Sequence, residues 1–141
     1  MNANTNRTAI IIGASSGIGE ALSIDLSHRG YFIGMAGRNK AKMDQLALNM
    51  KNKAIVKKLD LNNQIESILK FKELARELNG CDLVILNSGI GFANHELDWE
   101  KDEKIIDVNV KGFTCLAEEA FKLFVRQGKG HLVGISSVAS I

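Results

Sequence analysis

Five short, mostly apolar segments alternate with longer segments in which apolar residues recur every three or four positions. Uninterrupted apolar runs of this length are typical of parallel strands that are covered on both faces. Because crossovers between parallel strands are right-handed, repeated βαβ units place helices on both sides of one sheet. The alternation therefore predicts an α/β fold of three layers (α/β/α), in which helices cover both faces of one doubly wound parallel sheet. The predicted strands are 8–13, 31–37, 54–61, 81–87 and 131–136.

The segments between these strands carry helix signals at their starts, faces and ends. Asn39 is predicted to cap the second helix, and either Asn62 or Asn63 the third. Gly30 and Gly80 are expected to stop the first and third helices. The predicted apolar faces are Ile18, Ala21, Leu22 and Leu26 in the first helix, and Ile65, Ile68, Leu69, Ala75 and Leu78 in the third.

Composition narrows the class of protein. The chain has 141 residues, enough for one domain with one substantial core, and we expect a single domain over 1–141. The net charge of +2 is too small to indicate a nucleic-acid partner or an acidic membrane surface. No signal-peptide core or membrane-length apolar run occurs, which predicts a soluble cytoplasmic protein. Cys81, Cys115 and three scattered histidines show no disulfide or ligand spacing, so reduced thiols and no metal site are expected.

The loop GASSGIG (13–19) joins the first predicted strand to the first helix. Gly13, Gly17 and Gly19 suit a tight turn, a close approach of backbone to pyrophosphate, and close packing of helix on sheet. The helix N-terminus adds free N–H groups and a positive dipole end. A glycine-rich turn without a ligand is the alternative, but the strand before and helix after it favour a Rossmann-like dinucleotide site. Ser15, Ser16 and Ile18, between the glycines, are counted with the predicted cofactor-binding residues.

Arg38 follows the second predicted strand, in the neighbourhood where many dinucleotide sites place an acid that holds the ribose 2′-hydroxyl. An acid would repel a 2′-phosphate, whereas a guanidinium can pair with it in bidentate fashion. The arginine therefore favours NADP(H) over NAD(H). The alternative is that Arg38 is an ordinary solvated surface arginine.

Taken together, these features resemble the short-chain dehydrogenase/reductase family over nearly the whole chain. GASSGIG resembles the family's TGxxxGxG loop, with Ile12 in place of threonine. Asp60, followed by Leu61, matches the family's acid near the adenine. Asn87, Ser88 and Gly89 match the family's NAG segment. Asn109 in VNVKG and Ser137 in ISSVAS match two residues of the family's catalytic site. Ser88 and Ser140 depart from the family's alanine and glycine. The residues alone leave ordinary alternatives, since Asn109 could be an exposed polar residue of a helix. Ser136 and Ser137 could be strand-end serines that satisfy backbone groups.

The resemblance implies a Rossmann-like sheet of strand order 3-2-1-4-5 that lacks the family's C-terminal strands and helices. It also implies hydride transfer between a nicotinamide and a carbonyl or alcohol carbon of a small molecule. Ser137 would hydrogen-bond the substrate oxygen, and the Asn109 carbonyl would hold a water in a proton relay. The family's proton donor is the tyrosine of a YxxxK motif. The one tyrosine here, Tyr31, is followed four residues on by Met35 and begins the second strand, so it does not match. We therefore expect the 141 residues to be the dinucleotide-binding part of a longer NADP(H)-dependent oxidoreductase, incomplete at the C-terminus and inactive alone.

Other functions and an assembly follow from the same residues. The unmatched YxxxK motif leaves a non-catalytic nucleotide-binding or regulatory module as the alternative. An epimerase or dehydratase is weaker, because those relatives space their glycines GxxGxxG. Without the family's later strands and helices, 131–136 would be an open apolar edge, which predicts self-association. The apolar side of the helical stretch 112–127 could pack on the sheet, pair subunits, or do both; its residues are Phe113, Leu116, Ala117, Ala120, Phe121 and Phe124.

Overall fold

A computed structural model describes residues 7–137, in which one or more helices separate each strand from the next. The described strands are β1 (Thr8–Ile12), β2 (Phe32–Gly37), β3 (Ala54–Lys58), β4 (Leu83–Leu86) and β5 (His131–Gly134). The described helices are α1 (Gly17–His28), α2 (Lys40–Leu48), α3 (Gln64–Glu77), α4 (Trp99–Ile106) and α5 (Phe113–Gln127). All pairings are parallel and the strand order is β3-β2-β1-β4-β5, which confirms the predicted topology.

The core lies in two layers, one on each face of the sheet. Alternate residues of the buried strand β1 point to opposite sides. Ile10 and Ile12 join the cluster beneath α3 and α5, and Ala9 and Ile11 join the cluster beneath α1 and α2. Each of these four side chains is at most 1% exposed, as expected for a central parallel strand.

Two of the strands end two or three residues earlier than predicted from their apolar residues. The segment 54–61 is strand only as far as Lys58, which is opposite Gly37, the last residue of β2. The segment 131–136 is strand only as far as Gly134, which is opposite Leu86, the last residue of β4. A strand stops where its partner stops, so the extra apolar residues enter the loops at the carboxyl edge.

Asparagine caps start two helices as predicted. The Asn39 side-chain oxygen accepts a hydrogen bond from the backbone N–H of Lys42 at 3.0 Å. For α3 the alternative resolves to Asn63, whose side-chain oxygen accepts from the N–H of Glu66 at 3.1 Å. Asn62 instead donates to the Asp60 carboxylate through both its backbone and side-chain nitrogens.

The predicted buried faces of α1 and α3 are partly wrong. In α1 the fully buried residues are Gly19, Ser23 and Ser27, whereas Ile18 is 57% exposed. Small residues let α1 lie close to the sheet, and the Ser23 hydroxyl is satisfied by donating to the Gly19 carbonyl at 2.7 Å. In α3 the buried face is rotated toward Phe71 and Leu74, with Ala75 and Leu78 correctly placed; Ile65 and Leu69 are 76% and 56% exposed.

A π-helical segment, Asp107–Gly112, lies between α4 and α5 and interrupts what would otherwise be one long helix. Leu116, Ala120 and Phe124 of α5 pack in the core, while Phe121 is 60% exposed. Helix α5 ends at Gly128, whose φ of 72° is left-handed. No helix within residues 7–137 is long and apolar enough to span a bilayer.

Candidate functional site

The carboxyl ends of the parallel strands surround two adjoining cavities. The first cavity, of about 140 Å³, is lined by Gly13, Ser15, Ser16, Gly37, Arg38, Leu59, Asp60, Leu61, Asn87, Ser88, Gly89, Ile90 and Val108. The second cavity, of about 750 Å³, is lined by Asn87, Ser88, Gly89, Ile90, Gly91, Asn109, Phe113, Gly134, Ile135, Ser136 and Ser137. Open parallel sheets bind ligands at this edge. Residues that are far apart in the sequence, from Gly13 to Ser137, therefore meet here.

Two glycines of the glycine loop, Gly13 and Gly19, are packed so closely that no side chain would fit there. Gly13 has a φ of 85°, and a Cβ there would lie 2.7 Å from the Ser88 hydroxyl oxygen. A Cβ on Gly19 would overlap the Gly13 carbonyl oxygen and lie 2.8 Å from the Asn87 amide nitrogen. Gly17 also has a positive φ, of 56°. Gly17, Ile18 and Gly19 form the first turn of α1 rather than the lining of either cavity.

The N-terminus of α1 is left open for a ligand. Helices α2, α3 and α4 each begin with a side-chain cap, from Asn39, Asn63 and Asp98 respectively. Ser16 starts α1 with extended backbone and makes no side-chain cap. The first N–H groups of a helix have no partner within the helix and carry the positive end of its dipole. This end of α1 can therefore accept an anion such as a phosphate.

Asn87 connects the end of β4 to the glycine loop. Its side-chain amide donates to the Gly13 carbonyl at 3.1 Å, and its backbone N–H donates to the Ile12 carbonyl at 3.0 Å. Ser88 and Gly89 follow directly and line both cavities. The predicted NSG segment is therefore where the two cavities meet.

Asp60 and Leu61 shape the far wall of the first cavity. The Asp60 carboxylate accepts from the backbone N–H of Asn62 at 3.0 Å and so holds the turn after β3. Leu61 is 6% exposed, and a Cβ on Gly112 would lie 2.7 Å from its Cβ. Gly112 thus allows the π-helical segment to lie against this wall.

Asn109 lies in the π-helical segment and clamps the loop after β4. Its side-chain oxygen accepts from the Ile90 N–H at 2.9 Å, and its side-chain nitrogen donates to the Ile90 carbonyl at 2.8 Å. Ile90 lines both cavities, so this paired contact fixes part of each wall. Ser136 and Ser137 reach the second cavity from the end of β5. Ser140, the predicted departure from the family's glycine, lies outside the described residues.

A third cavity, of about 600 Å³, opens beside Arg38. It is lined by Ser15, Arg38, Asn39, Lys40, Ala41 and Lys58. Lys40 is paired with Asp44 of the same helix at 2.7 Å. Arg38 and Ser15 line the first cavity as well, so the two cavities share a wall.

Sequence reasoning missed several lining residues. Leu59, Ile90, Val108 and Phe113 are apolar and carry no chemical signal, although Val108 stands within the VNVKG match. Lys58 is the last residue of β3, in a segment that was predicted to continue as strand to residue 61. Its position two residues after Val56 was the available signal, because alternate strand residues share a face.

Tyr31 lies at the opposite edge of the sheet, immediately before β2, where its hydroxyl accepts a hydrogen bond from Arg7 at 3.3 Å. Within residues 7–137 no three histidine, cysteine or acidic side chains are grouped to hold a metal ion. Cys81 and Cys115 are free thiols, and burial raises the pKa of Cys81 to about 12.

Comparison with known proteins gives consistent matches. The family described as short chain dehydrogenase matches residues 7–141. An uncharacterised oxidoreductase of Staphylococcus aureus strain USA300 is 33% identical over 142 residues, covering 99% of this chain and 62% of the relative. A short-chain type dehydrogenase/reductase from Mycobacterium marinum has a TM-score of 0.87 at 26% identity, over 96% of this chain and 59% of that one. An alcohol dehydrogenase from Thermococcus sibiricus, complexed with 5-hydroxy-NADP, has a TM-score of 0.85 at 26% identity, over 96% and 61%. The chain thus spans about three fifths of the length of these proteins.

Proposed function

Because the chain belongs to the short-chain dehydrogenase family, we propose that it forms the NADP(H)-binding part of an oxidoreductase acting on a small carbonyl or alcohol substrate. The observation that carries the proposal is the uncapped N-terminus of α1 facing a cavity whose other wall presents Arg38. Gly13 and Gly19 pack closely against neighbouring protein atoms and so fix the shape of the glycine loop, whereas the space beside Gly17 is open to a dinucleotide backbone. When bound, the nicotinamide supplies or accepts the hydride.

Each part of the cavity has a proposed task. Gly13, Ser15, Ser16 and Gly17 with the first turn of α1, which includes Ile18 and Gly19, hold the pyrophosphate through backbone N–H groups. Asp60 and Leu61 form the adenine end. Asn87 holds the glycine loop in place, and Ser88 and Gly89 line the passage from the first cavity to the second. These residues bind and orient the cofactor but move no proton.

Ser137 and Asn109 belong to the second cavity, where we propose that the substrate binds. The Ser137 hydroxyl donates a hydrogen bond to the substrate oxygen, which stabilises negative charge that develops there. Asn109 keeps the Ile90 loop in position through its two side-chain hydrogen bonds. Its own carbonyl, in the π-helical segment, is the proposed holder of a relay water.

A nucleotide-binding module without catalysis is the second candidate. It is favoured by Tyr31, the single tyrosine of the 141 residues, which lies at the opposite edge of the sheet from Ser137. For the same reason we propose that the 141 residues alone have negligible reductase activity.

We also propose a cytoplasmic protein that assembles as a homo-oligomer. Phe121 and Val125 of α5 are 60% and 79% exposed and lie one turn apart, so they offer an apolar face to a second copy. Helix α5 can thus both pack on the sheet, through the buried Leu116 and Phe124, and pair subunits through its exposed face.

The test is a titration of the protein with NADPH and, separately, with NADH. We expect the protein to bind NADPH more tightly than NADH. Arg38→Ala is expected to lower the affinity for NADPH about ten- to hundredfold, because the charged hydrogen bond to the 2′-phosphate is lost. The affinity for NADH, which has no 2′-phosphate, is expected to change little. Arg76→Ala is the matched control, since Arg76 is an exposed arginine of α3 that lines none of the three cavities. Equal affinity for the two dinucleotides would contradict the NADP(H) assignment. Binding of neither would contradict the cofactor site itself.

A further inference from the structure

Two adjacent lysines end the edge strand β3 and face opposite sides of the sheet. Lys57 shares its side with Ile55, which packs on the α3 and α5 cluster. Its ammonium group is paired with Glu77 at 2.6 Å and with Glu73 at 3.5 Å, both on α3. The charge of Lys57 is therefore already used to attach α3 to the sheet edge.

Lys58 shares the other side with Ala54 and Val56, which pack on the cluster beneath α1 and α2. In the register of the sheet it is opposite Gly37, the residue before Arg38. The backbone N–H of Leu59 donates to the Gly37 carbonyl at 3.0 Å, which fixes the two chain segments together. Lys58 and Arg38 consequently line the same third cavity.

The charges of the third cavity are unbalanced. Lys40 is neutralised by Asp44, but Arg38 and Lys58 make no ion pair with any residue of 7–137. No acidic side chain lines this cavity. A phosphate monoester carries about −1.5 to −2 charges at neutral pH, which is more than one guanidinium can neutralise.

We propose that Lys58 is a second cation for the cofactor's 2′-phosphate, and that with Arg38 it sets the discrimination between NADPH and NADH. The inference rests on the proposed function, because it requires that the adenosine end of the dinucleotide occupy the first cavity. Arg38 supplies the planar fork, and Lys58 supplies a mobile point charge from the neighbouring strand. Since both side chains are exposed, their contribution falls as salt increases.

The experiment compares two probes that differ only in this phosphate, adenosine 2′,5′-bisphosphate and adenosine 5′-monophosphate, by calorimetric titration of the protein at low and high salt. Lys58→Gln is expected to weaken the bisphosphate about three- to tenfold and to change the monophosphate less than about twofold. Lys53→Gln is the matched control, because it removes the same charge from an exposed residue just before β3 that does not line the third cavity. Lys58→Arg is expected to keep most of the preference. Equal thermal midpoints of all variants verify that the fold is unchanged.

The outcomes separate the two proposals. If the bisphosphate binds more tightly than the monophosphate, and Arg38→Ala but not Lys58→Gln removes the preference, the role of Lys58 is overturned and the proposed function stands. If Lys58→Gln behaves as Lys53→Gln, the role of Lys58 is likewise overturned. If the unmodified protein does not distinguish the probes, or binds neither, both the NADP(H) assignment and the role of Lys58 fail.

Discussion

At the scale of single residues, the glycine loop depends on space that only a hydrogen can occupy. The Cα of Gly19 lies against the Gly13 carbonyl, which in turn accepts a hydrogen bond from the Asn87 side chain at 3.1 Å. Gly13 and Gly19 belong to the same loop after β1, whereas Asn87 follows β4 and lies 74 residues after Gly13 in the sequence. A change at Gly19 would therefore disturb both the packing of α1 and the position of the cofactor loop.

We predict that Gly19→Ala lowers the free energy of unfolding by about 1–3 kcal/mol, because the added methyl group would displace the Gly13 carbonyl or the Asn87 amide. We also predict loss of detectable dinucleotide binding under conditions that keep the variant folded. Denaturant unfolding and titration with NADPH measure the two effects. Gly91→Ala is the control, since a Cβ at Gly91 meets nothing within 4 Å. Equal stability and affinity of the two variants would contradict the steric argument.

Residues could be predicted from sequence where their spacing encodes a backbone requirement. Gly13, Gly17 and Gly19 were recognisable because a tight turn and a close helix approach demand glycine at those positions. Lys58 was not recognisable in the same way, because its place beside Arg38 depends on strand register and on where β3 ends. The clamp of Asn109 on Ile90 likewise depends on a tertiary contact that no local pattern encodes.

At the scale of elements, α3 and α5 are joined by a nearly buried carboxylate. Glu119 of α5 is 6% exposed, and its oxygens lie 2.9 Å from the ammonium of Lys122 and 3.3 Å from that of Lys72 on α3. The hydrogen bond from Lys122 and the contact with Lys72 lower the pKa of Glu119, although burial opposes the shift. The charged form therefore belongs to the folded state.

We predict that Glu119→Gln lowers the free energy of unfolding at neutral pH by about 1–2 kcal/mol, since the charged hydrogen bond from Lys122 and the ion pair with Lys72 are weakened while the side-chain volume is kept. Because the folded-state pKa is depressed, the charge of Glu119 stabilises the fold above its ordinary pKa of 4.5, and this contribution is lost as pH falls through the folded value. The difference between the protein and the variant should thus shrink in acid. Denaturant unfolding from neutral pH to below pH 4 measures it, with Glu118→Gln, a 65% exposed neighbour, as the control. A difference that is constant across this pH range would contradict the assignment.

The order and type of the elements could be predicted because strand runs, caps and glycine stops are local signals. The faces of α1 and α3 could not be fully predicted, because apolar periodicity assumes that the largest apolar residues face the core. In α1 the sheet lies so close that glycine and serine occupy the contact, and Ile18 is left exposed. The π-helical segment between α4 and α5 could not be predicted, because no local pattern other than Gly112 marks it.

At the scale of the whole molecule, the strand order brings the loops after β1, β2, β3, β4 and β5 to one edge of the sheet. All five strands are parallel, so the gathering of distant site residues was foreseeable once five strands alternating with helical segments were recognised. None of the described residues that line the second cavity is titratable. The polar ones are asparagine and serine, and there is no acid, lysine, histidine or tyrosine among them. Proton transfer, unlike cofactor binding, therefore has no candidate group in this part of the chain.

We predict that the 141 residues alone bind NADPH but do not reduce a panel of small ketones above the rate of the Ser137→Ala variant. The physical reason is that a positioned general acid typically raises the rate of such a reaction 10²–10⁴-fold. A hydrogen bond from Ser137 can stabilise the developing alkoxide but does not supply the proton that it needs. Oxidation of NADPH followed by absorbance measures the rate, and the titration above establishes that the cofactor site is filled. Turnover that is well above background and is lost in Ser137→Ala would show that these residues contain a proton donor after all. Equal background rates in both proteins, with NADPH bound, would support a binding role for the 141 residues.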